Sequence, residues 1–191
     1  MPFDFLKRKK APSAAGHVSS STGKAKPEGI PFDGLTEDWR LTGTMHVEGR
    51  LSDALNRRET ISISDVQWAP IDGSADLMAA PGLRSIDPYD LIAVLAGPDT
   101  MPAFTQEEKA ARRVRKEPYE VVLEAPPFRI VGTLHLFPGS RPAQLLEQTA
   151  EMFVPLTSAV AYVGGRRVAD PEVQVVLVNR LYVRGIEETG R

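Results

Sequence analysis

At 191 residues, 42% of them hydrophobic and 25% charged, the chain has the length and composition of one large or two small globular units, and no apolar run approaches the span of a bilayer. A formal net charge of -2 gives it no overall field toward nucleic acid, although local basic clusters remain. Zero cysteines exclude disulfides and thiolate catalysis and weaken any zinc reading, which makes a reducing cytoplasm the expected compartment.

Residues 1–29 read as an N-terminal tail. Phe3, Phe5 and Leu6 stand beside Lys7, Arg8, Lys9 and Lys10, a combination suited to an anionic surface, where each cation contributes about 1 kcal/mol. A secretory signal would place its cations first, so the segment reads as a tether to the inner face of a membrane or to a protein partner. The plain alternative is a solvated terminus. Residues 11–29, rich in Ser, Ala, Gly, Lys and Pro, have little to bury and read as a flexible link.

Residues 30–104 form the first folded unit. In Trp39–Val47 the apolar Trp39, Leu41, Met45 and Val47 alternate with Arg40, Thr42, Thr44 and His46, the pattern of a half-buried strand. Gly43 sits on the apolar side, where glycine marks a bulge, a bend or a close backbone approach. Arg50–Glu59 predicts a helical turn or two with Leu51, Ala54 and Leu55 inward, and Ile61, Ile63 and Val66 predict the next strand. Leu91–Leu95 reads as a strand buried on both faces. Pro98 and Pro102 then remove backbone donors, so this unit is expected to stop one strand early and to have its open edge covered by Tyr119–Glu124.

Residues 105–117 predict a linker helix, capped by Thr105 with Glu108 three positions on and ending in Arg112, Arg113, Arg115 and Lys116. Residues 118–191 then repeat what came before. Phe128–Leu136 copies Trp39–Val47, with Arg129, Gly132, Thr133 and His135 at the places of Arg40, Gly43, Thr44 and His46, which reads as an internal duplication. Arg50–Leu55 answers Arg141–Leu146, Ser64–Trp68 answers Ser158–Tyr162, and Asp87-Pro88 answers Asp170-Pro171. A helix capped by Ser140 and burying Leu145, Leu146 and Phe153 is predicted, then strands over residues 158–163, 173–178 and 181–186, with Gly164-Gly165 as a hairpin turn. The expected fold is mainly β, two tandem repeats of a small, partly open barrel-like unit with short helices. The repeats should pack together, because units of about 70–80 residues have marginal cores alone.

Two resemblances follow from the motifs. Arg50-Leu51-Ser52-Asp53-Ala54-Leu55-Asn56 after a Gly-x-x-His strand, with Val178-Asn179-Arg180 near the end, resembles uncharacterised bacterial small β-rich domains that carry an Arg-Leu-Ser-Asp-x-Leu-Asn motif, a likeness that implies no activity. More distantly, residues 105–187, read as helix, strand, bent strand and three further strands ending in Leu177–Ile186, resemble the Sm-like small β-barrel. That likeness implies single-stranded RNA as ligand and nominates Arg184 and Gly185.

Candidate chemistry is sparse. Arg40, Thr44 and His46 share the polar side of one copy, and Arg129, Thr133 and His135 that of the other. If the copies face one another the six form an anion patch; otherwise they are two solvated strand faces. Arg166 and Arg167 after the glycine pair, with Arg184, are the nucleic-acid candidates. Neither His46 nor His135 has a carboxylate or second histidine at ligand spacing, so no metal or other cofactor is expected. Ser140 lacks the glycines of a nucleophile elbow, and no residue set meets the outline of a catalytic site, so an enzyme is not expected. The expected function is a non-enzymatic binding or scaffold module, tethered to an anionic membrane surface or a protein partner through residues 3–10. An RNA- or oligonucleotide-binding protein is the alternative, and a homo-oligomer is compatible with either.

Overall fold

In the computed structural model, which describes residues 29–97, 100, 115–168 and 175–190, every strand joins one open antiparallel sheet of twelve strands. The first half supplies β1 (Gly29–Leu35), β2 (Trp39–His46), α1 (Leu51–Asn56), β3 (Ile61–Pro70), the two-residue strands β4 (Met78–Ala79) and β5 (Ser85–Ile86), and β6 (Ala93–Ala96). The second supplies β7 (Glu117–Ala125), β8 (Phe128–Leu136), α2 (Pro142–Gln148), β9 (Phe153–Val163), β10 (Arg166–Arg167), β11 (Val175–Asn179) and β12 (Gly185–Gly190). The order across the sheet is β12-β7-β8-β9-β11-β6-β1-β2-β3-β4, with β5 also on β3 and β10 on β9. The fold is therefore mainly β, as expected, and among the described residues the sheet stays open without closing into a barrel. The tail and nearly all of the linker helix lie outside the described residues, and Glu117, expected at the end of that helix, opens β7.

A short 3-10 turn precedes the last strand of each half, Pro88–Asp90 before β6 and Arg180–Tyr182 before β12. Asp87 Oδ1 accepts from Tyr89 N at 2.9 Å, and Asn179 Oδ1 accepts from Leu181 N at 3.1 Å. The strand that follows pairs with the first strand of its own half, β6 with β1 and β12 with β7. The first half thus ends in β6, which holds the place that β12 holds in the second; Pro98 and Pro102, from which an early stop was expected, lie outside the described residues. The outer edge of β6 is covered from the second half, but by β11. Tyr119–Glu124 lies in β7, between β8 and β12.

β6 and β11 are buried on both faces, and their side chains alternate between two cores. Ala93, Leu95, Val176 and Val178 join Leu123, Phe128, Ile130, Leu134 and Leu156 on one face. Val94, Ala96, Val175 and Leu177 join Met45, Leu51, Leu55, Ile61, Met152 and Phe153 on the other. Each half therefore has its own core, and the period-two alternation of two shared strands serves both.

The two bent strands have one cause. Opposite Gly43, β3 carries the extra residue of a bulge, since Thr42 pairs with Gln67 and Thr44 with Ser64. Opposite Gly132 the same happens in β9, where Val131 pairs with Val160 and Thr133 with Thr157. The inserted residues Asp65 and Ser158 have φ of 53° and 49°, and a Cβ on Gly132 would stand 2.8 Å from Ala159 Cβ, so the glycine is there to let the bulged strand approach. The pairing aligns Ser64 with Thr157, one residue away from the expected match with Ser158.

In α1, Leu51, Ala54 and Leu55 are buried, the i, i+3, i+4 face read from the sequence. α2 starts one residue later than expected. Its N-cap is Arg141, whose N–H donates to Gln144 Oε1 at 3.2 Å, and Pro142 fills the first turn. Phe153, expected on this helix, begins β9.

Candidate functional site

The segment between α2 and β9 is held to the first half through its backbone. Asn56 Oδ1 accepts from Phe153 N at 2.8 Å and its Nδ2 donates to Phe153 O at 3.3 Å. An Arg58 Nη2 donates to Ala150 O at 2.7 Å, and Asn179 Nδ2 donates to Leu91 O at 2.9 Å. Within the second half, Arg180 fixes the same segment, donating from Nε to Glu151 O and from its N–H to Met152 O. Met152 and Phe153, with under 2% of their surface exposed, sit in the first half's core. Asn56, the last residue of the sequence motif, is thus a joining residue, while Asp53 is exposed.

Beside this seam, α2 and the β8–β9 pair enclose a cleft of about 420 Å³. Leu134, Leu136, Leu145 and Val154 give it an apolar floor, and His135, Thr157, Lys116, Arg141 and Glu151 bring polar groups to it. Lys116 Nζ lies 5.3 Å from the centre of the Phe137 ring, which is 57% exposed, a cation–π contact at the mouth. A smaller cleft of about 270 Å³ beside α1 is lined by His46, Val47, Ala54, Arg57 and Glu59. A third hollow, of about 580 Å³, lies at the Pro126-Pro127 turn beside Arg129 and Gly164-Gly165. It is roomier and has Pro126, Pro127, Phe128, Val131 and Tyr162 on its wall, but its one cation, Arg129, is already paired with Glu124, whereas the α2 cleft joins an apolar floor to two cations, so the α2 cleft is the better ligand site.

The six residues of the expected anion patch are not gathered into one site. His46 and His135 line different clefts, and β2 and β8 are five strand positions apart in the sheet. Arg40 is tied to Asp33 through Nε at 2.9 Å and Nη2 at 2.6 Å, and its Nη1 donates to Val168 O at 3.4 Å. The hydrogen bond to Asp33 raises the Arg40 pKa, outweighing burial. Arg129 pairs with Glu124 at 3.2 Å, and Thr133 Oγ1 donates to Glu120 Oε1 at 2.7 Å. Thr44 pairs across from Ser64 in the bulge.

Each histidine instead bonds a hydroxyl on the next strand, His46 Nε2 to Ser64 Oγ at 3.0 Å and His135 Nε2 to Thr157 Oγ1 at 2.8 Å. Ser64 Oγ donates its one proton to Asp65 Oδ2 at 2.9 Å, so the network assigns the Nε2–H tautomer to His46, donating into Oγ. A nucleophilic serine needs the reverse, with the imidazole taking the hydroxyl proton.

The nucleic-acid candidates separate as well. Gly164 and Gly165, with φ of 55° and 81°, make the expected hairpin turn. Arg166 beyond it reaches the first half, donating from Nη2 to Ile71 O at 3.0 Å with its guanidinium over Gly73. Arg167 is exposed. Arg184 is exposed between the 3-10 turn and β12, its N–H bonded to Glu124 O at 2.7 Å.

Sequence reasoning did not reach Phe137 or the seam residue Arg58, and it placed Lys116 at the end of the linker helix and Arg180 in the closing motif without these contacts. Their roles depend on which strand lies beside which, and only an exposed Phe in a loop and the Asn of the motif hinted at them. Among the described residues no group of three His, Asp or Glu stands close enough to hold a metal ion, and no helix is long and apolar enough to cross a membrane. The chain matches no known family model, no curated protein and no solved structure.

Proposed function

We propose that this chain is a non-enzymatic binding module, built from two copies of one β unit joined edge to edge, that takes a protein partner in the cleft between α2 and the β8–β9 pair. The observation that carries the reading is the make-up of that cleft, an apolar floor with the exposed Phe137 and two cations, Lys116 and Arg141, against one carboxylate, Glu151. A side chain with an apolar body and an acidic neighbour fits it. Ion pairing of Arg40 and Arg129 within the sheet, and the direction of the Ser64 hydrogen bond, support binding over catalysis. The duplication is supported by the matching bulges at Gly43 and Gly132 and the matching caps of Asp87 and Asn179. Residues 3–10 would tether the module at an anionic membrane surface on the cytoplasmic side.

Selection of a random displayed peptide library on the full chain tests this. Enriched peptides should combine acidic and apolar residues and lose affinity for a Phe137→Ala, Lys116→Ala variant. No enrichment, or peptides indifferent to those substitutions, would reject the cleft. Co-sedimentation with anionic vesicles, with and without residues 1–10, tests the tether.

The second reading, a single-stranded RNA binder, is favoured by the exposed position of Arg184 directly before the last strand. Binding would then weaken steeply with salt. Fluorescence anisotropy with mixed single strands at low salt decides it.

A further inference from the structure

The two ends of the sheet are the two sides of a joint that the chain already makes once. Across the second half the order is β12-β7-β8-β9-β11, and across the first it is β6-β1-β2-β3 with β5 on the outer side of β3. The halves meet where β11 pairs with β6, Val176 opposite Leu95, Leu177 opposite Val94 and Val178 opposite Ala93. Because Asp87 and Asn179 hold the same place before their turns, β5 stands where β11 does and β12 where β6 does. Among the described residues, β5 and β12 each pair on one side only.

We propose that these two edges pair between copies of this chain, β12 of one molecule on β5 of the next, in the register of the β11–β6 joint. That register sets Gly185 opposite Ile86, Ile186 opposite Ser85 and Glu187 opposite Arg84. Leu95 and Val176, whose places Glu187 and Arg84 take, point into the same core, so carboxylate and guanidinium meet directly across two strands on one face. Opposite charges at such positions favour pairing and like charges oppose it. Glu187 and Arg84 are both exposed, and neither forms an ion pair among the described residues. Exposed Leu83 and Leu181 flank the two edges.

The joint is head-to-tail, so it propagates into a ring or an open chain instead of closing as a two-fold dimer. It is also weaker than its internal counterpart. Asn179 Nδ2 donates across the internal joint to Leu91 O, and Asp87 in its place has no proton to donate. Association should therefore depend on concentration.

The inference rests on the equivalence of the two halves and not on the cleft, so loss of peptide binding and loss of self-association are read separately. Sedimentation of the full chain at low salt, over rising protein concentration, should give masses that pass beyond a dimer. Glu187→Arg and Arg84→Glu should each weaken association about tenfold, the size expected when a cross-strand pair of opposite charge becomes one of like charge. The double variant, with both charges exchanged, should restore it, and circular dichroism should show all three folded. A chain that stays monomeric at every soluble concentration overturns the proposal. So does association that ignores the single reversals, or that the double variant fails to recover.

Discussion

Asn56 and Phe153 are joined by two hydrogen bonds of opposite sense, one into each backbone group of Phe153. The carboxamide behaves as a further peptide unit beside β9 and ties α1 of one half to the strand of the other. Asn56→Ala would leave both groups of Phe153 without their partner in a part-buried place, a loss of about 1–3 kcal/mol. Urea unfolding should show a lower midpoint with an unchanged slope. A variant as stable as the parent would mean that the seam is held elsewhere.

Gly132 faces Ala159 across the bulge, with Ala159 Cα 3.0 Å from where a Cβ would stand. Gly132→Ala pushes one rigid backbone against another and should destabilise by about 1–3 kcal/mol. Adding Ala159→Gly removes the nearest obstacle and should recover part of that loss, less the intrinsic cost of a second glycine in a strand. Failure of the pair to recover anything in thermal unfolding would place the strain outside the bulge.

A fragment of residues 29–104 lacks β11, Met152 and Phe153, and so loses one side of β6 and two fully buried side chains of its core. It should be unfolded or aggregated, while the full chain unfolds in one transition. A soluble monomer with well-dispersed amide resonances would show that the first half stands alone.

Asp72 titrates below the ordinary carboxylate range because the Ser74 side chain and then its N–H donate to it, with Arg166 nearby adding to the effect. A depressed carboxyl pKa contributes stability above the unfolded value of about 3.9 and loses it as pH falls through the folded value. Carbon-13 titration should therefore find Asp72 ionised at pH values where free Asp is half protonated. Ser74→Ala should move it part of the way back toward the ordinary range, and an unmoved titration would assign the shift to the backbone N–H of residue 74 and to Arg166.

What the sequence made legible follows from which forces are local. The alternation of Leu41 and Met45, the Leu51–Leu55 face and the glycine pair at 164–165 all concern neighbours in the chain, and each appears where expected. β1 is not legible in the sequence, because Pro31, Gly29 and Gly34 dilute its pattern. Ser64 and Ser158 correspond by letter, yet the inserted residues Asp65 and Ser158 are the ones with positive φ, and a bulge shifts register without marking the sequence. Asp87 and Asp170 likewise correspond by letter, although what the place of Asp87 requires is a side-chain oxygen to cap a turn, which Asn179 supplies equally well. Of the candidate sites, the pairing of Arg40 with Asp33 was hidden because it depends on β1 lying beside β2, and the α2 cleft because Lys116 and Phe137 meet only once β7 and β8 are paired.

The β6–β11 pair also sets a clock on synthesis. Val94 and Leu177 are directly opposite in the sheet, yet at about 5–20 residues per second the roughly eighty residues between them take about 4–16 s to translate. During that interval Leu91–Ala96, buried throughout in the finished protein, has left the ribosome without the strand that covers it. Codon usage or a chaperone acting over that window would change yield without altering a single contact in the folded chain.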